Sequence, residues 1–151
     1  MTEEKKQSLH PISRSLCKAY SILFLKREVF FPLEDTHADK IDVIVKTVYG
    51  TWFGFTRFPT YEDQAVAFFC LIIKDHPMTD GNKRLAVLWL ETFCEVHKLK
   101  MDLSRMPLDV LAVSVEQTKQ MDNDQLFGLV KIILFGNRNT QSKFDKKGQI
   151  E

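Results

Sequence analysis

From Ala65 to Ile73 nine consecutive residues are apolar, so a helix over this stretch has almost no polar face to turn toward water. Thr60 followed by Asp63 has the pattern of a capping box, which starts a helix just ahead of the run. The run is too short to cross a bilayer, which takes about 20 apolar residues. Other parts of the chain therefore have to sheathe it on every side, and the segment belongs at the centre of a helical bundle.

The flanking segments supply the sheath. Asn82 to Lys98 places Leu85, Leu88, Trp89, Thr92, Phe93 and Val96 on one side at helical spacing and pairs with the central helix as the core. His10 to Arg27 repeats Ile12, Leu16, Tyr20 and Leu23, and Phe30-Phe31-Pro32 breaks it. Asp35 to Tyr49 carries Ile41, Ile44, Val45 and Val48 on one face. Pro107 opens a helix running to Gln120, and Asp122 to Phe135 reads as another. Between Gly50 and Pro59 the chain is aromatic and punctuated by Gly54, which suits an extended or hairpin segment better than a helix. Residues 1–8 read as a polar lead-in. The expectation is an all-α fold of about six helices with one short extended segment, a single domain over residues 1–136, and a polar, flexible tail over 137–151.

Composition narrows the functional classes. The 21 Lys and Arg nearly cancel the 20 Asp and Glu, so no electrostatic footprint of a nucleic-acid or membrane partner is present. The polar start Met1-Thr2-Glu3-Glu4-Lys5-Lys6 does not resemble a secretory leader, and a cytoplasmic protein is expected. Cys17, Cys70 and Cys94 are odd in number and embedded in apolar segments, which makes them core thiols rather than a disulfide framework or zinc site.

The chemistry concentrates in His76-Pro77-Met78-Thr79-Asp80-Gly81-Asn82-Lys83-Arg84, the turn between the two core helices. Gly81 and Asn82 tolerate backbone angles that let successive N–H groups point into one hollow at the positive end of the next helix, a seat for phosphate. Asp80 offers a hard oxygen ligand for Mg²⁺, which needs only one or two carboxylates when phosphates complete its shell. Arg84 adds a fixed cation. His76 is the one group in the turn that accepts a proton near neutral pH, which makes it the natural general base. Taken singly, each residue has an ordinary explanation: an Asp-Gly pair makes turns, and a lone His is usually structural. The ordered conjunction points instead to phosphate chemistry.

That string resembles the signature of the Fic/Doc family: His-Pro-Phe, any residue, Asp or Glu, Gly or Ala, Asn, Gly or Lys, Arg. Met78 stands where the family prefers Phe, an apolar exchange at a position that anchors the turn in the core. The resemblance implies a Fic/Doc helical bundle with a β-hairpin flap ahead of the motif, falling here on Val48 to Pro59. Phe55, Arg57 and Phe58 would then be candidates for target contact, since a strand edge can pair with an extended peptide. It implies an ATP-dependent transfer to a Ser, Thr or Tyr hydroxyl of a protein, with His76 as base, Asp80 holding Mg²⁺, Gly81, Asn82 and Lys83 as the anion-binding loop, and Arg84 neutralising phosphate charge.

Two positions bear on the branch. Adenylylating members commonly have Gly where Lys83 stands, and a second Arg where Val87 stands. Doc-like toxins carry Lys, lack that Arg, and bind ATP in the opposite sense to transfer the γ-phosphoryl group. Lys83 and Val87 favour the Doc-like reading over AMP transfer, and retention of His76, Asp80, Asn82 and Arg84 argues against a catalytically silent binding module. No Glu in the chain is followed by Gly or Asn, so the family's inhibitory-helix pattern is missing. Restraint of a Doc-like toxin would then fall to a separate antitoxin.

Overall fold

The computed structural model describes residues 1–136, so the polar segment expected as a tail at 137–151 lies outside the described residues. The chain runs α1 (Glu3–Ser8), α2 (Pro11–Leu25), α3 (Asp35–Tyr49), β1 (Thr51–Trp52), β2 (Phe55–Thr56), α4 (Tyr61–Asp75), α5 (Asn82–Val96), α6 (Leu108–Gln117) and α7 (Asn123–Phe135). Among the described residues this is a helical bundle with one two-stranded antiparallel hairpin, and no helix is long and apolar enough to cross a membrane.

The apolar run dictates the plan. Every residue from Ala65 to Ile73 is buried, and α4 is wrapped by α3, α5, α6 and α7. The capping box forms as its sequence requires: Thr60 Oγ1 accepts the Asp63 N–H at 3.0 Å, and Asp63 reaches back to the Thr60 N–H. At the other end His76 sits in the left-handed region (φ 48°, ψ 60°), because Pro77 disfavours helical geometry in the residue before it. Helix α5 is the main partner of α4, with Leu85, Ala86, Trp89, Leu90 and Phe93 buried against it. Trp89 is core, as its spacing implies, with an edge-on contact to Phe68 at 5.8 Å between centroids. All three cysteines are buried and free.

The structure adds a helix to the six expected. Residues 3–8 form α1 where the sequence reads as a lead-in: Thr2 caps the first turn, Glu3 and Glu4 sit at its positive end, and Lys5 pairs with Asp39 of α3. With no buried residue, α1 carries no apolar stripe for the pattern to reveal. A second tie joins the same helices. The buried Asp42 carboxylate accepts from the His10 N–H at 3.0 Å and from Ser13 Oγ at 2.5 Å, and pairs with Lys46 at 2.8 Å. Burial works to raise its pKa, but these partners outweigh burial and hold it below the ordinary carboxylate value.

The candidate active site

The motif turn lies between the C-terminus of α4 and the N-terminus of α5, so the rigid core pair fixes both of its ends. Two features set its shape. Gly81 adopts φ +81°, and a Cβ there would stand 2.2 Å from Cγ1 of Val29, so the position excludes side chains twice over. Met78 is buried and pins the middle of the turn to the core, the role expected of the family's Phe.

Asn82 opens α5, and its side chain has a structural task besides. Its side chain is buried and braces the turn: Oδ1 accepts the Met78 N–H at 2.9 Å and Nδ2 donates to the Met78 carbonyl at 3.0 Å. Those two bonds fix which way the amide faces, so its remaining N–H points at Nδ1 of His76, 3.2 Å away. Nδ1 must accept, and the neutral imidazole then carries its proton on Nε2. For Nε2 to take a proton from a substrate hydroxyl, the ring has to exchange tautomer and leave Asn82.

The cations of the motif both have protein counter-ions. Lys83 Nζ meets both carboxylate oxygens of Glu116 at 3.0 Å, and Arg84 lies 3.6 Å from Glu28. The Glu116 carboxylate also stands 4.0 Å from Nε2 of His76. Lys74, on the last turn of α4, donates to the carbonyls of Val115 and Thr118 and so secures the end of α6 that carries Glu116. A carboxylate thus occupies the space between the candidate base and the loop lysine, where a reacting phosphate and hydroxyl would have to meet.

Asp80 differs from its neighbours in having no hydrogen-bond or ion-pair partner among the described residues. Its charge is felt by Tyr20, whose phenol is pushed up first by burial and then by Asp80, while Tyr20 Oη donates to the Phe31 carbonyl at 2.7 Å. An uncommitted carboxylate beside a phosphate-sized loop fits a single protein ligand to Mg²⁺, and no cluster of three or more His, Cys, Asp or Glu among the described residues offers a metal a larger cage. The first N–H groups of α5 receive no side-chain cap, which leaves them for an anion.

The hairpin forms within the expected segment, with Thr51 opposite Thr56 and Trp52 opposite Phe55. Of the three contact candidates only Phe55 is on the surface and uncommitted. Arg57 is paired with Asp124 at 2.7 Å and lies over the Phe58 and Phe127 rings, and Phe58 is turned inward against Phe127. Trp52 and Phe53, the latter 96% exposed, are the aromatic side chains the hairpin presents instead.

The family model for the Fic/DOC family matches residues 11–94, more than half of the chain, and its span takes in α2 through the motif and nearly all of α5. The chain belongs to the Fic/Doc family. No curated protein and no solved structure matches it. Fic/Doc proteins transfer groups onto other proteins, and the bundle with its hairpin and central motif turn is the corresponding architecture here.

Sequence reading of the Fic/Doc motif missed the residues that surround it. Glu116 is 33 positions from Lys83, and nothing in the motif points to it. His37, in the first turn of α3, accepts the Glu34 N–H through Nδ1 at 3.0 Å and places its Nε2 2.9 Å from Thr79 Oγ1 of the motif. His10 and His97 are likewise helix ends, the first capping α2 and the second stacked on Tyr61.

Proposed function

We propose that this chain transfers the γ-phosphoryl group of ATP to a Ser, Thr or Tyr hydroxyl of a protein target, with a separate antitoxin as its restraint. The observation that carries the reading is Lys83: a cation on the first turn of α5 whose partner Glu116 also stands 4.0 Å from His76, with uncharged Val87 one turn further along the helix. Charge for the transferring phosphate is therefore concentrated at the loop, and nothing at position 87 grips a more distant phosphate.

In the step itself, His76 takes the proton of the target hydroxyl and the hydroxyl oxygen forms a bond to the γ-phosphorus. The bond from that phosphorus to the β–γ bridging oxygen breaks, and ADP leaves. Lys83, Arg84 and the first N–H groups of α5 hold the phosphate oxygens and offset the charge that moves onto the leaving group. Asp80 would hold Mg²⁺, which supplies further charge neutralisation on the phosphates when bound. The strand edge and exposed aromatics of the hairpin would hold the target segment.

The test uses ATP labelled at the α- or the γ-phosphate, Mg²⁺ and cell lysate, with His76→Ala in parallel. Label from the γ position alone, lost in His76→Ala, is the expected result. Label from the α position would make the chain an adenylyl transferase despite Lys83 and Val87, and label from neither would favour a silent binding module.

A further inference from the structure

Thr79 and Asp80 lie between two fixed points of the motif turn. On one side Met78 is buried, with its N–H and its carbonyl both bonded by Asn82, and on the other Gly81 stands so close to Val29 that no side chain fits. Among the described residues a single side-chain hydrogen bond reaches the pair between them. Thr79 Oγ1 lies 2.9 Å from Nε2 of His37, 42 positions back in the chain. His37 stands in the first turn of α3 and is buried, at 7% exposure. Its Nδ1 accepts the Glu34 N–H at 3.0 Å, so the neutral ring carries its proton on Nε2 and donates it to Thr79. Closing a capping box does not need a histidine: Asp63 reaches the N-cap N–H from the same position of α4, and Gln125 does so in α7. Imidazole adds a second nitrogen across a flat ring, so the bond that closes the cap of α3 also aims an N–H at the motif.

We propose that His37 is a positioning residue: through Thr79 it holds Asp80 in the orientation from which its carboxylate meets a divalent cation. The inference rests on the proposed transfer from ATP, in which Asp80 holds the metal, and adds the group that keeps Asp80 in place. The Asp80 carboxylate has no partner of its own among the described residues, so its direction is set by the backbone that carries it. Asn82 and Val29 fix that backbone on either side, and His37 fixes it at the residue next to Asp80. A ligand already held still loses less conformational freedom when a cation binds, and groups behind a metal ligand raise affinity in this way. Helix α3 thereby acts on the motif although it does not flank it.

Substitutions separate the two bonds of the ring. His37→Asn keeps an acceptor for the Glu34 N–H and is too short for Thr79, whereas His37→Gln keeps the acceptor and a donor at the length of Nε2. Thr79→Val, at an exposed position, removes the acceptor from the other side and carries the same comparison where His37→Asn does not fold. Amide ¹⁵N relaxation of the full chain without ligand reads the hold itself. Thr79 and Asp80 are expected at order parameters of about 0.85 in the parent and in His37→Gln, and below about 0.6 in His37→Asn and Thr79→Val. Electron paramagnetic resonance of Mn²⁺ with a non-hydrolysable ATP analogue, corrected with Asp80→Asn, reads the consequence. Affinity is expected to fall about fivefold or more in His37→Asn and Thr79→Val and to stay within about twofold in His37→Gln, less than the roughly 10–100-fold for groups bonded directly to a ligand. Order parameters unchanged in both broken variants, unchanged Mn²⁺ affinity in both, or no Asp80-dependent Mn²⁺ in the parent overturns the assignment. The phosphate-label assay decides separately: label from the α position removes the phosphoryl-transfer reading and leaves His37 its task, and label from the γ position with unchanged Mn²⁺ affinity does the reverse.

Discussion

Gly81 is where backbone and packing make the same demand. Its positive φ would strain any L side chain, and Val29 stands where a Cβ would go. Gly81→Ala is expected to lower stability by about 1–3 kcal/mol, the usual range for strained backbone, and to abolish transfer. Adding Val29→Ala relieves the overlap without relieving φ, so denaturant melts of the double variant should recover part of the loss and not all of it. Glu116 gives the opposite kind of prediction. It holds Lys83, the cation proposed to meet the phosphate, and half-exposed pairs of this sort contribute about 0.2–1 kcal/mol. Glu116→Gln should therefore tighten Mg·ATP binding up to about fivefold by isothermal titration, and a weaker complex would mean that Glu116 orients Lys83 rather than competing for it. His76 has its Nδ1 engaged by Asn82, so the proposed base role would need the ring to leave that contact, which no reading of the motif's order could have revealed.

At the scale of elements, the helices were legible wherever an apolar stripe recurs at helical spacing, and their ends wherever a cap is local: Thr60 for α4, Asp122 for α7 and Pro107 for α6 are read directly from their neighbours. Helix α1 was not legible because its stability comes from a cap and from Lys5 reaching Asp39, 34 residues away, rather than from a buried face. Asp42 is the other long-range tie. Asp42→Ala leaves the His10 N–H and the Ser13 hydroxyl without their acceptor and should cost about 1–3 kcal/mol in urea melts. Because its folded pKa is depressed, its contribution is present above the unfolded carboxylate value and is lost as pH falls through the lower, folded one. The melting difference between the parent and Asp42→Ala should thus be constant above about pH 4 and shrink below it, and a difference that grew on acidification would contradict the pairing.

Across the whole molecule, the bundle seals its thiols. Burial pushes Cys70 up to about 12, and Cys17 and Cys94 up to about 11, so the folded chain should react with a thiol reagent only as fast as it opens, and all three should react at once in denaturant. Rapid modification of Cys70 in the native state would mean that α4 is not the sealed centre. The sequence by itself determined the helical plan, the central place of α4 and the position of the motif turn, because periodicity, capping and an ordered nine-residue string are local properties of a chain. Only the tertiary structure decided what faces that turn. Glu116 on α6 holds Lys83, Glu28 stands beside Arg84, His37 reaches Thr79, and Phe58 turns inward while Trp52 and Phe53 face out. Each of these depends on helices meeting across long sequence separations, where the geometry of packing, and not the order of residues, selects the neighbour.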